Sequence, residues 1–200
     1  MEPPAREPVS RRGQAIRPAL SRAVIVEAAL HIADSESLDA VTMRRVAAAL
    51  DTSASALYVY IQGREDLLDA MFDYVMAAVA QAAIPAGTWR ERLSWLLIKS
   101  AQAASGHGGL AQVALAKVPS GPNAREITAR VRELLAEGQI PGTAIPAALD
   151  LLGLFVTAAA LDRVPAASAT PRQHHDLLRW ETEVILNGLA TTPPQIPHIR

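Results

Sequence analysis

Two hundred residues, half of them apolar and a fifth charged, suffice for one large domain or two small ones with a buried core, and they exclude wholesale disorder. Thirty-nine alanines against eight aromatic residues favour closely packed helices over strands, which prefer β-branched and aromatic side chains. The absence of cysteine excludes a disulfide frame, a thiolate metal site and a cysteine nucleophile, and a net charge of −1 gives no overall preference for nucleic acid.

The distribution of charge says more. Arg11, Arg12, Arg17 and Arg22 fall in a window from Pro8 to Val26 that holds no acid, a local charge of +4. Arginine suits phosphate and base edges because its guanidinium is a planar fork of donors. The longest apolar run, Leu151 to Leu161, is too short for a membrane span of ~20 residues. The opening MEPPAREP has no apolar core of a signal peptide, so a soluble cytoplasmic protein with no membrane association is expected.

Residues 1–20, with Pro3, Pro4, Pro8 and Pro18 among charges, read as a flexible, arginine-bearing arm. Ser21 is placed to cap a helix whose face is Val24, Ile25, Ala28, Ala29 and Ile32, ending in the polar Asp34–Ser37 stretch. Leu38 and Val41 plug the connection. Thr42 is the next cap, and Met43, Val46, Ala47 and Leu50 follow at i, i+3, i+4 and i+7 over about nine residues. Asp51-Thr52-Ser53 interrupts, Ala54, Leu57 and Ile61 resume the period, and Gln62-Gly63 breaks it again. A longer helix starts at Arg64, with Leu67, Leu68, Met71, Phe72, Val75, Met76 and Val79 on one face, and stops near Pro85.

Further on, Thr88 to Ala104 is amphipathic, with Trp89, Leu93, Leu96, Leu97 and Lys99 marking its faces. Ser105–Gly109 breaks it, and a short apolar stretch from Leu110 to Val118 ends at Pro119–Pro122. Asn123 is expected to cap a helix to Glu137. Two longer helices follow, Pro146 to Val164 and Pro171 to Leu189 with Thr170 as its cap. The first is apolar nearly all round (Leu149, Leu152, Leu154, Phe155, Val156, Leu161) and needs cover on all sides. Too little chain remains to supply that cover, so a second subunit is expected to provide it, in a homodimer made from the last two helices.

The middle pair of short helices forms a helix-turn-helix unit, neither half stable alone. With Leu57 and Ile61 turned inward, Ser53, Ser55, Ala56, Tyr58, Val59 and Tyr60 face outward. A helix entering a groove about 12 Å wide needs small residues at its leading end, flanked by long hydrogen-bonding side chains. Two tyrosines beside small residues meet that need, whereas a merely solvated face is more often charged.

At these residues a family becomes recognisable. From about Leu20 to Val75, without a gap, the chain resembles the DNA-binding domain of tetracycline-repressor-like (TetR family) transcriptional regulators, most specifically in TMRRVAAAL, ALYVYI and GREDLL. A weaker resemblance in GLAQVALAKVPSGPNA and WETEVILNGLA extends to the ligand-binding and dimerisation region of actinobacterial-type members. The resemblance implies an all-α fold: a helix-turn-helix domain over 21–66, a ligand-binding and dimerisation domain over 67–190 and a tail over 191–200. It also implies double-stranded operator DNA, a small-molecule effector and a second copy of the chain as partners, and no cofactor.

By position, the resemblance implies that Thr42 touches phosphate and that Arg44 reaches a base edge. Ser53, Ser55, Ala56 and Tyr58 lie on the base-facing element, Tyr60 matches a phosphate contact, and the Arg64 backbone N–H meets phosphate at the positive helix end. Two departures stand out. Asp51 occupies a turn position usually held by Gly, and Val59 replaces a large aromatic or basic residue. Direct readout is therefore expected to rest on Arg44, Tyr58 and thymine methyl contacts.

For an enzyme the chain offers no convergent chemistry: H-E-x-x-H, G-x-S-x-G, P-loop and G-x-G-x-x-G motifs are all missing, and His174 and His175 are adjacent on a helix. A metal site is not expected. Met76, Trp95, His107 and Phe155 are the candidate effector-pocket residues, although Met76, Trp95 and Phe155 at helical spacing better suit plain core and His107 a loop or helix end. The competing function is a helical ligand carrier or scaffold whose helix-turn-helix is unused, which a gel shift on the protein's own upstream DNA would distinguish.

Overall fold

Ser21 and Thr42 start their helices where the spacing predicts them. In the computed structural model, which describes residues 19–107, 109–116, 120–161 and 171–191, every regular element is a helix. Most of the arm, the Thr170 cap and the tail beyond residue 191 lie outside the described residues. Helix α1 (Arg22–Ser35) begins at Ser21, whose hydroxyl accepts from the Val24 amide at 3.3 Å. A 3-10 turn at Leu38–Ala40 leads to the fully buried Val41. Thr42 Oγ1 caps α2 (Met43–Ala49) by accepting from Arg45 N at 3.1 Å.

Helix α2 has seven residues rather than nine, because the chain turns at Asp51, which adopts a left-handed φ of 51°. Asp tolerates that conformation at the expected Gly position because its short polar side chain can bond locally. Helix α3 is shorter than its periodicity suggested. Its regular turn is Ala54–Leu57, and a 2.9 Å bond from Tyr60 N to Leu57 O tightens Tyr58–Tyr60 into a turn. Leu57 and Ile61 are fully buried, as the pattern requires. They join Ile25, Ala29, Ile32, Val46, Leu67 and Met71 in one core cluster.

Helix α4 (Arg64–Gln81) crosses the sequence-derived division at residue 66. Leu67, Met71, Phe72 and Met76 belong to the first cluster, and Val79 belongs to a second. That second cluster gathers Leu93, Leu96 and Leu97 of α5 (Trp89–Ser105), Val131 and Leu135 of α7 (Pro122–Glu137), Leu152 of α8 (Ile145–Leu161) and Leu186 of α9 (Pro171–Thr191). Helix α5, opened by a Thr88–Glu91 capping box, lies at its centre and packs on α4, α7, α8 and α9. The short α6 (Ala111–Ala116) packs on α4 and α8.

Asn123 does not cap its own helix. The N-cap of α7 is Gly121, with Pro122 as first residue, and the cap is supplied from outside by Asp73 of α4. Asp73 Oδ1 accepts from Asn123 N at 2.9 Å and from Ala124 N at 3.1 Å. The spacing pointed to Asn123 because Asn is a good cap, but Pro at the first position shifts the start by two residues. In return, Arg130 of α7 donates to the Val79, Ala80 and Ala82 carbonyls at the end of α4.

The apolar α8 is covered on one side only. Ala148, Leu152 and Ala160 are buried, while Leu151 and Leu161 are exposed and Leu154 is 60% exposed. On α9, Leu177, Val184 and Trp180 (65%) are likewise exposed. No helix among the described residues is long and apolar enough to cross a membrane.

Candidate nucleic-acid interface

Four arginines lie on α1, α2 and the start of α4, and three are already engaged. Arg22 pairs with Asp66, and this hydrogen bond raises its pKa further above its ordinary value. Arg45 Nε donates to Glu36 Oε1 at 3.0 Å, tying α2 to the end of α1. Arg64 donates from Nε to Val41 O at 2.9 Å and from Nη2 to Leu38 O at 3.1 Å. Arg44 is exposed and, among the described residues, has no hydrogen bond or ion pair. A free fork on a rigid helix is available to an outside acceptor.

The engaged arginines correct the charge reading. Arg22 does not contribute a free positive charge, because a carboxylate 44 residues away neutralises it. Arg64 spends its side chain bracing the α1–α2 connection. The other arginines of the basic window lie outside the described residues.

Thr42 and Ser53 cap their helices as acceptors, and the Thr42 hydroxyl keeps a proton to donate. Ser55 Oγ lies 2.9 Å from Ser53 Oγ, which fixes both at the tip of α3. Ser55 is exposed and Ala56 half-buried; Tyr58 (54%), Val59 (79%) and Tyr60 (39%) stand out from the turn that follows. Tyr58, Tyr60, Gly63 and Arg64 line one surface groove of about 800 Å³, bounded also by Glu65 and Asp66. Gly63 begins α4 without a side-chain cap, at the positive end of the helix dipole.

The four candidate effector residues do not converge on one cavity. Met76 is buried in the first cluster, whereas Trp95 and Phe155 are half-buried against the second. His107, after the end of α5, turns to the surface of α1, its Nδ1 2.9 Å from Asp34 Oδ2. Sequence reasoning missed this bridge because the two residues are 73 positions apart. It also missed Ser94, whose buried hydroxyl has no hydrogen-bond partner among the described residues.

Residues 25–71 match the family model described as bacterial regulatory proteins, tetR family. The HTH-type transcriptional repressor DrrR1 of Streptomyces coeruleorubidus is 31% identical over 78% of this chain. The chain spans about half the length of the curated relatives it matches, 58% of DrrR1 and 46% of a second regulator. The Streptomyces coelicolor TetR family protein ActR is 31% identical, with a TM-score of 0.72 over 86% of this chain and 95% of its own. ActR has also been solved with actinorhodin bound. BioQ of Mycobacterium smegmatis, solved with its operator DNA, is 23% identical with a TM-score of 0.72, over 86% of this chain and 99% of its own, and shows likeness of fold.

Proposed function

The chain belongs to the TetR family of bacterial regulatory proteins, and from that premise we propose that it is a cytoplasmic transcriptional repressor. It binds a palindromic DNA operator as a homodimer and leaves it when a small molecule binds among the C-terminal helices. The observation that carries the reading is the outward face of α2 and α3. Its one unengaged arginine among the described residues, Arg44, stands with the hydroxyls of Thr42, Ser55, Tyr58 and Tyr60.

Each residue has a role in this reading. Arg44 forks onto a base edge, and Tyr58, Ser53, Ser55 and Ala56 meet bases in the major groove. Thr42, Tyr60 and the Arg64 amide bond phosphate and fix the register. The exposed Leu151, Leu154, Leu177, Trp180 and Val184 of α8 and α9 meet the same residues of a second copy. Their two-fold contact sets two recognition elements about one helical turn apart, ~34 Å.

Helix α4 begins at the DNA-facing groove and ends in the second core cluster, so a ligand that tilts it shifts the recognition elements. The helices that carry Met76, Trp95 and Phe155 pack mainly through Ala, Leu, Val and Met side chains, which favours an apolar or weakly polar effector. His107 is engaged with Asp34 at the α1 surface.

Binding of the protein's own upstream DNA, compared with a scrambled duplex, tests the core of the proposal. Arg44→Ala is expected to lose ~1–3 kcal/mol on the operator and little on the scrambled duplex, whereas Tyr60→Phe weakens both alike. Equal losses on both duplexes for Arg44→Ala would reduce it to a backbone contact.

A further inference from the structure

We propose that Arg22 is a positioning residue for DNA recognition: it locks the far end of the recognition segment to the first turn of α4 and does not itself bind phosphate. The inference rests on reading α2 and α3 as the DNA-binding face.

The Arg22 guanidinium joins three elements. Nη2 donates to Asp66 Oδ1 at 2.7 Å and Nη1 to Asp66 Oδ2 at 3.3 Å, a two-pronged pair between α1 and α4. The same Nη1 donates to the Tyr60 carbonyl at 2.8 Å. Asp66 Oδ2 in turn accepts from the Gln62 amide at 2.8 Å. The backbone is thus gripped on both sides of Ile61, whose side chain is fully buried between the grips.

This grip falls where the recognition segment is weakest. Helix α3 has one regular turn, and Tyr58 and Val59 behind it are exposed, so the segment has little rigidity of its own. Its leading end is set by the Ser53 cap and the Asp51 turn. Its trailing end is set by Arg22, Asp66 and Ile61. The angle at which Ser55 and Tyr58 approach a groove therefore depends on Arg22, and so does the coupling of that angle to α4. A planar guanidinium can hold the carboxylate through two nitrogens and still serve the carbonyl, whereas an ammonium has a single nitrogen and no such fork.

Electrostatics and positioning predict opposite signs, which makes the test sharp. The probes are a duplex enriched by the wild-type protein from a randomised pool and an unselected duplex of equal length, each titrated over a salt series. Asp66→Asn removes a negative charge beside the DNA-facing groove, so charge alone would tighten both duplexes. Positioning predicts at least about fivefold weaker binding to the selected duplex, with the unselected one unchanged or tighter. Arg22→Lys keeps the charge and should show the same selective loss with an unchanged salt slope. Arg22→Ala should also retain the slope, and circular dichroism melts establish that each variant is folded at the assay temperature.

Two results overturn the proposal. One is Arg22→Lys binding like wild type while Arg22→Ala lowers the salt slope by about one, which makes Arg22 a phosphate contact. The other is Asp66→Asn tightening both duplexes alike. A wild-type protein that enriches no duplex refutes the DNA-binding reading itself, and the Arg22 role with it, before any variant is compared.

Discussion

Gly121 sits against the carboxylate that caps α7, so Gly121→Ala and Asp73→Ala together measure how firmly α4 holds α7. Asp73 supplies acceptors to the Asn123 and Ala124 amides, and Asp73 Oδ2 takes the Asn123 side-chain amide at 2.9 Å. Losing an N-cap costs about 0.5–2 kcal/mol, and each part-buried donor left unpaired adds about 1 kcal/mol, so roughly 2–3 kcal/mol is expected for Asp73→Ala. The backbone of Gly121 (φ −66°, ψ 162°) suits any residue, so in open space an alanine there would be neutral or slightly stabilising. A Cβ at 121, however, overlaps the Asp73 carboxylate and lies 2.5 Å from Asp73 Cβ. The carboxylate must leave and the start of α7 must back away.

Gly121→Ala is therefore expected to cost at least as much as Asp73→Ala, and the double variant little more than Gly121→Ala alone, because the same bonds are lost only once. Urea unfolding at fixed protein concentration measures all three, and thermal melts should show losses of about 4–10 °C. Additive costs, or a Gly121→Ala penalty below about 0.5 kcal/mol, would refute the reasoning.

Other outcomes follow from the same geometry. Arg64→Ala should lower stability by about 1–2 kcal/mol, because Val41 and Leu38 lose a charged donor; an unchanged melt would refute its bracing role. The Thr88 amide and hydroxyl hold the Glu91 carboxyl below its ordinary pKa of 4.5. A lowered folded-state value means that the capping box stabilises fully above that pH and is lost as pH falls through the lowered value. Glu91→Gln should accordingly flatten the acid limb of a stability-versus-pH profile. Leu154→Glu or Trp180→Glu, on the exposed faces of α8 and α9, should shift light-scattering mass toward monomer while the helical circular dichroism signal persists.

Local features were readable from the chain alone. Caps at Ser21 and Thr42 and the burial of Leu57, Ile61 and Met71 depend on neighbours within a turn or two. The outward set from Ser53 to Tyr60 was legible for the same reason: if Leu57 and Ile61 point in, the others have nowhere else to go. The lengths of α2 and α3 were less legible, because tertiary support decides where so short a helix frays into a turn.

Which polar groups are spent and which are free was decided only by how the helices cross. Nothing near Arg22 in sequence announces Asp66, 44 positions on, and nothing near Asn123 announces Asp73, 50 positions back. The same holds for His107 and Asp34, and for Arg64 with the Val41 and Leu38 carbonyls. By itself the sequence determined the helices, their buried faces and the helix-turn-helix unit, because hydrophobic period and capping act within one element. Only the tertiary structure separated Arg44, open to an outside acceptor, from Arg22, Arg45 and Arg64, since a charge is free or engaged according to what a distant helix brings to it.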